Sequence, residues 1–140
     1  MTDITVAREH LKGHSICLCR DGDCITDDGR GIAPMIKLLS EGRNLSGYSA
    51  ADLIVGKAAA MLFVKAGIRE VYGEVMSAAG KDYLEKHGIP YSYGVLTKQI
   101  VNRAGDGICP MEKAVAEIDD TDEGYIALQN RLAHIQANRG

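Results

Sequence analysis

The segment at residues 102–112, NRAGDGICPME, brings a thiol, a cation and carboxylates together in a glycine-bearing loop. Pro110 and Glu112 are typical of a first helical turn, which puts Cys109 at or beside the helix N-cap. A thiol there is favoured as thiolate, so Cys109 is a candidate nucleophile; a ligand-lining thiol and an inert buried thiol remain alternatives. Arg103 is a candidate phosphate ligand or a surface ion-pair partner, and Asn102 a candidate ribose ligand.

Residues 53–64, LIVGKAAAMLFV, are apolar on all sides apart from one lysine. They predict a buried helix over about residues 50–66. Lys57 must then reach solvent, pair with a carboxylate or face an anionic ligand. Gly56 would let a ligand or another backbone come close. A phosphate-binding P-loop is excluded, because it needs Gly at position 51 and Ser or Thr at 58, where the chain has Ala51 and Ala58.

Two further polar residues fall at predicted helix starts. Ser49 is expected to cap the 50–66 helix with Asp52 at its third position; alternatively, Asp52 points into a pocket at the helix mouth. Ser77 lies where a predicted strand meets a helix, at the edge of α/β sheets where ligands gather. Helix N–H groups there suit phosphate, although an ordinary Ser N-cap is the competing interpretation.

Three of the four cysteines are close together in the sequence. Cys17 and Cys19 are expected on one face of a strand, and Cys24 on its partner strand. Three thiols could hold a soft metal, but zinc usually needs a fourth ligand, and none has convincing spacing. The expectation is therefore free thiols packed in the core, with neither metal nor cofactor.

The predicted element order is α-β-β-α-α-β-α-β-α-α. Asp21-Gly22 indicates a hairpin turn, Pro34 the first turn of a helix, and Gly94 a bulge in a strand over residues 90–101. Strands alternating with helices predict an α/β fold, a three-layer α/β/α sandwich with a mixed sheet. A last helix, residues 122–138, should dock on the body or on a second subunit through one apolar face comprising Tyr125, Leu128, Leu132 and Ile135.

Length and charge limit the classes of function. The 140 residues fit a single domain, 1–140, and the net charge of −3 argues against a nucleic-acid partner. The longest apolar run is too short to span a membrane, and the polar N-terminus lacks a secretion signal. A reducing cytoplasm is the expected compartment, because the cysteines lack the spacing of a secreted framework.

Three segments, GRGIAPMIKLL, ADLIVGKAAAMLFVKAGIREVYGEVMS and IVNRAGDGICPME, together resemble the uncharacterised prokaryotic domain-of-unknown-function family "eighteen ninety-three". The resemblance covers about residues 5–117 and leaves the C-terminal helix outside. It implies a cytidine-deaminase-like fold and no established activity. It also implies nucleotide-type ligands, including ADP-ribose groups attached to the protein.

Zinc deaminase chemistry needs a His- or Cys-x-Glu at one helix start and a Pro-Cys-x-x-Cys at the next. The first motif does not occur in the chain, and the second would fall on residues 76–80, MSAAG. A zinc-dependent deaminase is therefore not expected. The site would instead be rebuilt around Asp52, Gly56, Lys57, Ser77, Asn102, Arg103, Cys109 and Glu112.

Three hypotheses follow. The first is a pocket for a nucleotide or ADP-ribosyl group. The second is an enzyme with Cys109 as nucleophile, or an acidic side chain such as Asp52 as transient acceptor of a ribosyl group. The third is a homodimer built through the last helix.

Overall fold

The computed structural model describes residues 1–138 as a five-stranded sheet with six helices. The helices are α1 (Asp3–His10), α2 (Ala33–Ser40), α3 (Lys57–Ala66), α4 (Ala78–Lys86), α5 (Pro110–Val115) and α6 (Thr121–Asn138). The strands are β1 (Ile16–Arg20), β2 (Asp23–Asp27), β3 (Ser49–Val55), β4 (Glu70–Ser77) and β5 (Tyr91–Thr97).

The sheet is mixed, with strand order β2-β1-β3-β4-β5. β1 is antiparallel to both β2 and β3, whereas β3, β4 and β5 are mutually parallel. The carboxyl ends of β3 and β4 therefore lie side by side, and each leads directly into a helix. This is the sheet edge at which α/β proteins place their ligands.

Helices cover the two faces of the sheet very unequally. The larger core packs α2 to α6 against one face, around Leu18, Val71 and Phe63. The smaller core lies under α1 alone, and includes Cys17, Cys19 and Tyr72. The predicted three-layer α/β/α sandwich is confirmed, with one helix forming the whole of the third layer.

The predicted helix over residues 50–66 is wrong in its first third. Residues 49–55 form the central strand β3, and α3 begins only at Lys57, after Gly56. A strand buried on both faces is apolar throughout, as a buried helix is, so periodicity did not separate the two. Ser49 and Asp52 consequently lie on a strand and have no part in a helix cap.

The hairpin is confirmed at its turn, but the expectation of free thiols is wrong for two cysteines. Asp21 and Gly22 both have positive φ angles and join β1 to β2. Cys19 pairs directly with Cys24 across the hairpin, and the two form a disulfide. Cys17 keeps a free, buried thiol, and burial raises its pKa.

The predicted bulge at Gly94 is also wrong, because β5 pairs with β4 in unbroken register on both sides of it.

The last helix is confirmed and docks on the body. Leu128 is fully buried, and Tyr125 and Leu132 pack against the larger core. Within residues 1–138, no helix combines the length and apolar character needed to cross a bilayer.

Candidate functional site

The first turn of α3 holds a carboxylate supplied by α5. Glu112 Oε1 accepts a hydrogen bond from the Lys57 backbone N–H at 2.8 Å, and Glu112 Oε2 accepts one from the Ala58 N–H, also at 2.8 Å. Helix starts leave such N–H groups without partners and carry partial positive charge, so both effects stabilise the anion. We call this arrangement of Gly56, Lys57, Ala58 and Glu112 the α3 start.

Two glycines make the α3 start possible. A Cβ at Gly56 would lie 2.6 Å from Glu112 Cδ, so any side chain there would displace the carboxylate. A Cβ at Gly80, in the first turn of α4, would lie 2.8 Å from the Val55 carbonyl oxygen and 2.9 Å from the Gly56 carbonyl carbon. Gly80 therefore lets α4 pack directly on the turn between β3 and α3.

Lys57 provides the first N–H group of the α3 start and also carries a cationic side chain. It is the first residue of α3 and does not lie mid-helix as predicted. Its Nζ donates to the Ala116 carbonyl oxygen at 3.2 Å, just past the end of α5. The lysine therefore contacts the C-terminal end of α5, whereas Glu112 contacts α3 from the N-terminal turn of α5. In the neighbouring turn, Ser77 is fully buried and its Oγ accepts from the Gly80 N–H at 3.0 Å, an ordinary N-cap.

Asp52 lies apart from these residues, in the interior of β3. Its cross-strand neighbours are Ile16 on β1 and Gly73 on β4. Its Oδ1 accepts from the Ile54 N–H at 3.3 Å, and among residues 1–138 it forms no ion pair. Burial raises the pKa of Asp52 to about 7 against its ordinary 3.8. The carboxyl group is therefore held partly protonated near neutral pH.

The loop before α5 brings fewer groups together than its sequence suggested. Asn102 and Asp106 bond mainly to each other, with Asn102 Nδ2 donating to Asp106 Oδ1 at 2.9 Å. Arg103 is exposed in the same loop. Cys109 is the N-cap residue of α5, as predicted, but its side chain makes no capping hydrogen bond and α5 has only six residues. Within residues 1–138, the structure therefore adds no partner group, such as a general base, that would support Cys109 as a nucleophile.

The structure therefore unites Gly56, Lys57 and Glu112, places Ser77 in the adjacent turn, and separates Asp52 from them. The ligand-binding and catalytic roles assigned to all the candidate residues stay predictions.

A groove that sequence reasoning missed lies on the other face of the sheet, beside α1. It has a volume of about 680 Å³ and is lined by residues including Arg8, Lys12, His14, Tyr72 and Glu74. The Arg8 guanidinium carbon lies 4.1 Å from the centre of the Tyr72 ring, so the cation stacks on the aromatic face. The four-residue spacing of Arg8 and Lys12 was the available signal, since it puts both cations on one side of a helix.

Comparison with known proteins gives a family without an assigned activity. The sequence model of TM1506, described as a domain of unknown function (DUF1893), matches residues 7–132. This match includes most of α6, which the sequence had placed outside the family core. No significant match is found among curated proteins.

A solved structure of a family member supports the fold. A DUF1893 family protein (TM1506) from Thermotoga maritima superposes with a TM-score of 0.80 at 24% identity, covering 96% of this chain and 91% of that chain. A dCMP deaminase from the cyanophage S-TIM5 gives a TM-score of 0.45 at 13% identity, covering 64% of this chain and 92% of that chain.

Proposed function

The chain belongs to the DUF1893 family, a domain of unknown function, and we propose that it binds an anionic nucleotide-type ligand, of the ADP-ribose class, at the α3 start. Binding takes place by exchange: a phosphate of the ligand replaces the Glu112 carboxylate on the two backbone N–H groups. Deaminase chemistry with zinc is not part of this proposal.

The observation that carries the proposal is the pair of 2.8 Å hydrogen bonds from Lys57 and Ala58 to Glu112. Two N–H groups that bind both oxygens of a carboxylate have the spacing to bind two oxygens of a phosphate. Gly56, without a side chain, leaves their approach open. Among residues 1–138, Lys57 Nζ bonds to one backbone carbonyl and no other group, and a phosphate would readily replace that partner.

The displaced carboxylate suggests a second role for Glu112. A carboxylate is a suitable acceptor when the ligand is an ADP-ribosyl donor whose ribose C1 carries a pyridinium base. The carboxylate oxygen forms an ester bond to C1 while the C1–N bond breaks, and the base leaves as a neutral pyridine with the bonding electron pair. We therefore take Glu112, ahead of the buried Asp52, as the candidate attachment point for a covalent ADP-ribosyl group. The intact mass of the purified protein reports such an adduct directly.

Titration calorimetry with ADP-ribose, AMP and inorganic phosphate tests the proposal on three proteins. Glu112→Ala removes the internal competitor, so it should bind phosphate-bearing ligands about tenfold or more tightly than the natural chain. Glu117→Ala is the matched control, because this glutamate follows α5 and is exposed. If Glu112→Ala folds but binds none of the three ligands, the proposal is wrong.

A homodimer is a second candidate, favoured by the edge strand β5. Tyr93, Val95 and Leu96 are exposed there, and unpaired apolar edges are templates for pairing with another strand. We propose that two copies join along β5, in place of α6, whose apolar face is already used within the chain. Light scattering should give twice 15.1 kDa for the natural chain and 15.1 kDa for Val95→Lys. A monomeric natural chain would contradict this candidate.

A further inference from the structure

Three cysteine sulfurs meet in the hairpin formed by β1 and β2, beneath α1. The Sγ atoms of Cys17, Cys19 and Cys24 all lie within 4.8 Å of one another. Cys17 and Cys19 are two residues apart on β1 and project to the same face, with their sulfurs 3.5 Å apart. Cys24 is the direct cross-strand partner of Cys19. We call these three residues the three-sulfur cluster.

The surroundings of the three-sulfur cluster are apolar. Cys17 and Cys19 are fully buried and pack in the smaller core with Ala7, Leu11 and Ala51. Within the described part of the chain, no histidine or carboxylate joins the three sulfurs as a potential ligand. Cys24, in contrast to the other two cysteines, is partly exposed.

We propose that, when Cys19 and Cys24 are reduced, the three-sulfur cluster binds one soft monovalent cation of the copper(I) class. Soft thiolate ligands select such ions, whereas calcium and magnesium require oxygen ligands. Zinc is disfavoured because it takes four ligands: within residues 1–138 the cluster offers three, and its buried apolar surroundings do not suit a water as the fourth.

The size of the cluster suits one ion. Metal–sulfur bonds are about 2.3 Å long, so a planar three-coordinate ion holds its sulfurs about 4 Å apart. The sulfurs of Cys17 and Cys19 are already 3.5 Å apart, and with the disulfide in place all three sulfurs lie within 4.8 Å of one another. The short hairpin turn at Asp21 and Gly22 fixes Cys24 opposite Cys19, so little chain ordering remains to oppose binding.

The disulfide and the metal complex exclude each other, since both use Cys19 and Cys24. A dithiol reductant converts the disulfide into two thiols by supplying two electrons and two protons, and is itself oxidised to a disulfide. The cation then replaces thiol protons, which are released to solvent. The proposal therefore predicts binding to the reduced protein and none to the disulfide form.

The test is an anaerobic titration of the fully reduced protein, from which the reductant has been removed, with copper(I) against a chromophoric copper(I) chelator. The natural chain should bind one ion per molecule. Cys17→Ser, Cys19→Ser and Cys24→Ser should each weaken binding by at least about tenfold. Cys109→Ser is the matched control and should bind as the natural chain does, because this thiol lies outside the cluster.

The same samples, checked for folding by circular dichroism, give the contrary results. The proposal is overturned if the reduced natural chain fails to take copper(I) from the chelator, if Cys109→Ser loses binding, or if the disulfide form binds as tightly as the reduced form. Cys24→Ser keeps the test decisive should the buried variants unfold, because Cys24 is partly exposed and its loss is expected to be tolerated. Unweakened binding by folded Cys24→Ser would also refute it.

Discussion

A single buried carboxyl group, Asp52, makes the stability of this protein depend on pH. Its pKa is about 7 in the folded chain, against 3.8 ordinarily. Between these values the unfolded chain releases a proton that the folded chain retains, so the free energy of unfolding falls as pH rises from about 4 to about 7. Below that window both states are protonated, and above it the full cost of the buried charge is present.

Asp52→Asn should remove this dependence while keeping the oxygen that accepts from the Ile54 N–H. The shift corresponds to roughly 4 kcal/mol, so the variant should be more stable than the natural chain by up to that amount at pH 8 and by little near pH 4. Urea unfolding across this range measures the difference. Asp82→Asn, at an exposed position, should show no such trend. If the variant is more stable than the natural chain by the same amount at every pH, its stability comes from packing and not from the ionisation of Asp52.

Gly56 and Glu112 should be energetically coupled. Gly56→Ala displaces the carboxylate and leaves two helix N–H groups without an acceptor, which lowers the free energy of unfolding by about 1–3 kcal/mol. In a Glu112→Ala background the same substitution meets no carboxylate, and Gly56 has an ordinary φ of −100°, so its cost should largely vanish. Chemical denaturation of the four proteins in a double-mutant cycle measures the coupling. Additive effects would show that the contact contributes nothing.

The residues of the α3 start were all visible in the sequence, but their contact was not. Gly56, Lys57 and Glu112 each stood out by type, yet 55 residues separate the Lys57 N–H from the Glu112 carboxylate that it binds. The sequence predicts Glu112 in the first turn of its own helix and among the candidate ligand-binding residues, without indicating a contact with α3. Local rules describe how a side chain affects its own helix, and they carry no information on which other helix it reaches.

At the scale of elements, the packing of α4 against the turn between β3 and α3 depends on Gly80. Replacing a helical glycine by alanine ordinarily stabilises a helix by up to about 1 kcal/mol. Here the new Cβ would lie 2.8 Å from a backbone carbonyl oxygen, which cannot move without shifting the strand. We expect Gly80→Ala to lower the melting temperature, whereas Gly107→Ala, with only Asn102 nearby at 3.5 Å, should not. A stabilised Gly80→Ala would refute this packing.

α6 is part of the core, and two neighbouring positions on it test this. Leu128 is fully buried, whereas Ile126 is 58% exposed. Leu128→Ala should cost about 2–5 kcal/mol of unfolding free energy through lost burial and a cavity, and Ile126→Ala close to none. Urea midpoints of the two variants make the comparison. Equal small effects would mean that α6 is merely appended.

The sequence predicted most elements, and the exception has a physical cause. Glycine and proline marked the hairpin and the ends of α2, α3 and α4, because these residues act through local backbone geometry. β3 was missed because its apolar residues, including the exposed Leu53 and Ile54, fall on both faces of the strand and show no alternation. The sequence consequently predicts Ser49 and Asp52 as helix-capping residues, whereas both lie on this strand.

At the scale of the whole molecule, the layered architecture followed from element order, but the uneven covering of the sheet did not. Which face each helix covers is decided by packing between distant segments, as is the pairing of Cys19 with Cys24. The groove beside α1 was also not predicted from the sequence, because its lining comes from separate segments: α1 and the loop after it, β3 and β4.

Because α1 is, among residues 1–138, the one helix over the smaller core, the thiol of Cys17 can report when this part of the protein opens. It is free and completely buried beneath eight helical residues. Alkylation of Cys17 requires α1 to detach. The alkylation rate divided by that of an unprotected thiol gives the equilibrium constant for detachment, and hence its free energy, while the remaining helices stay folded. If the alkylation rate of Cys17 changes when a ligand is added, the groove beside α1 takes part in binding that ligand.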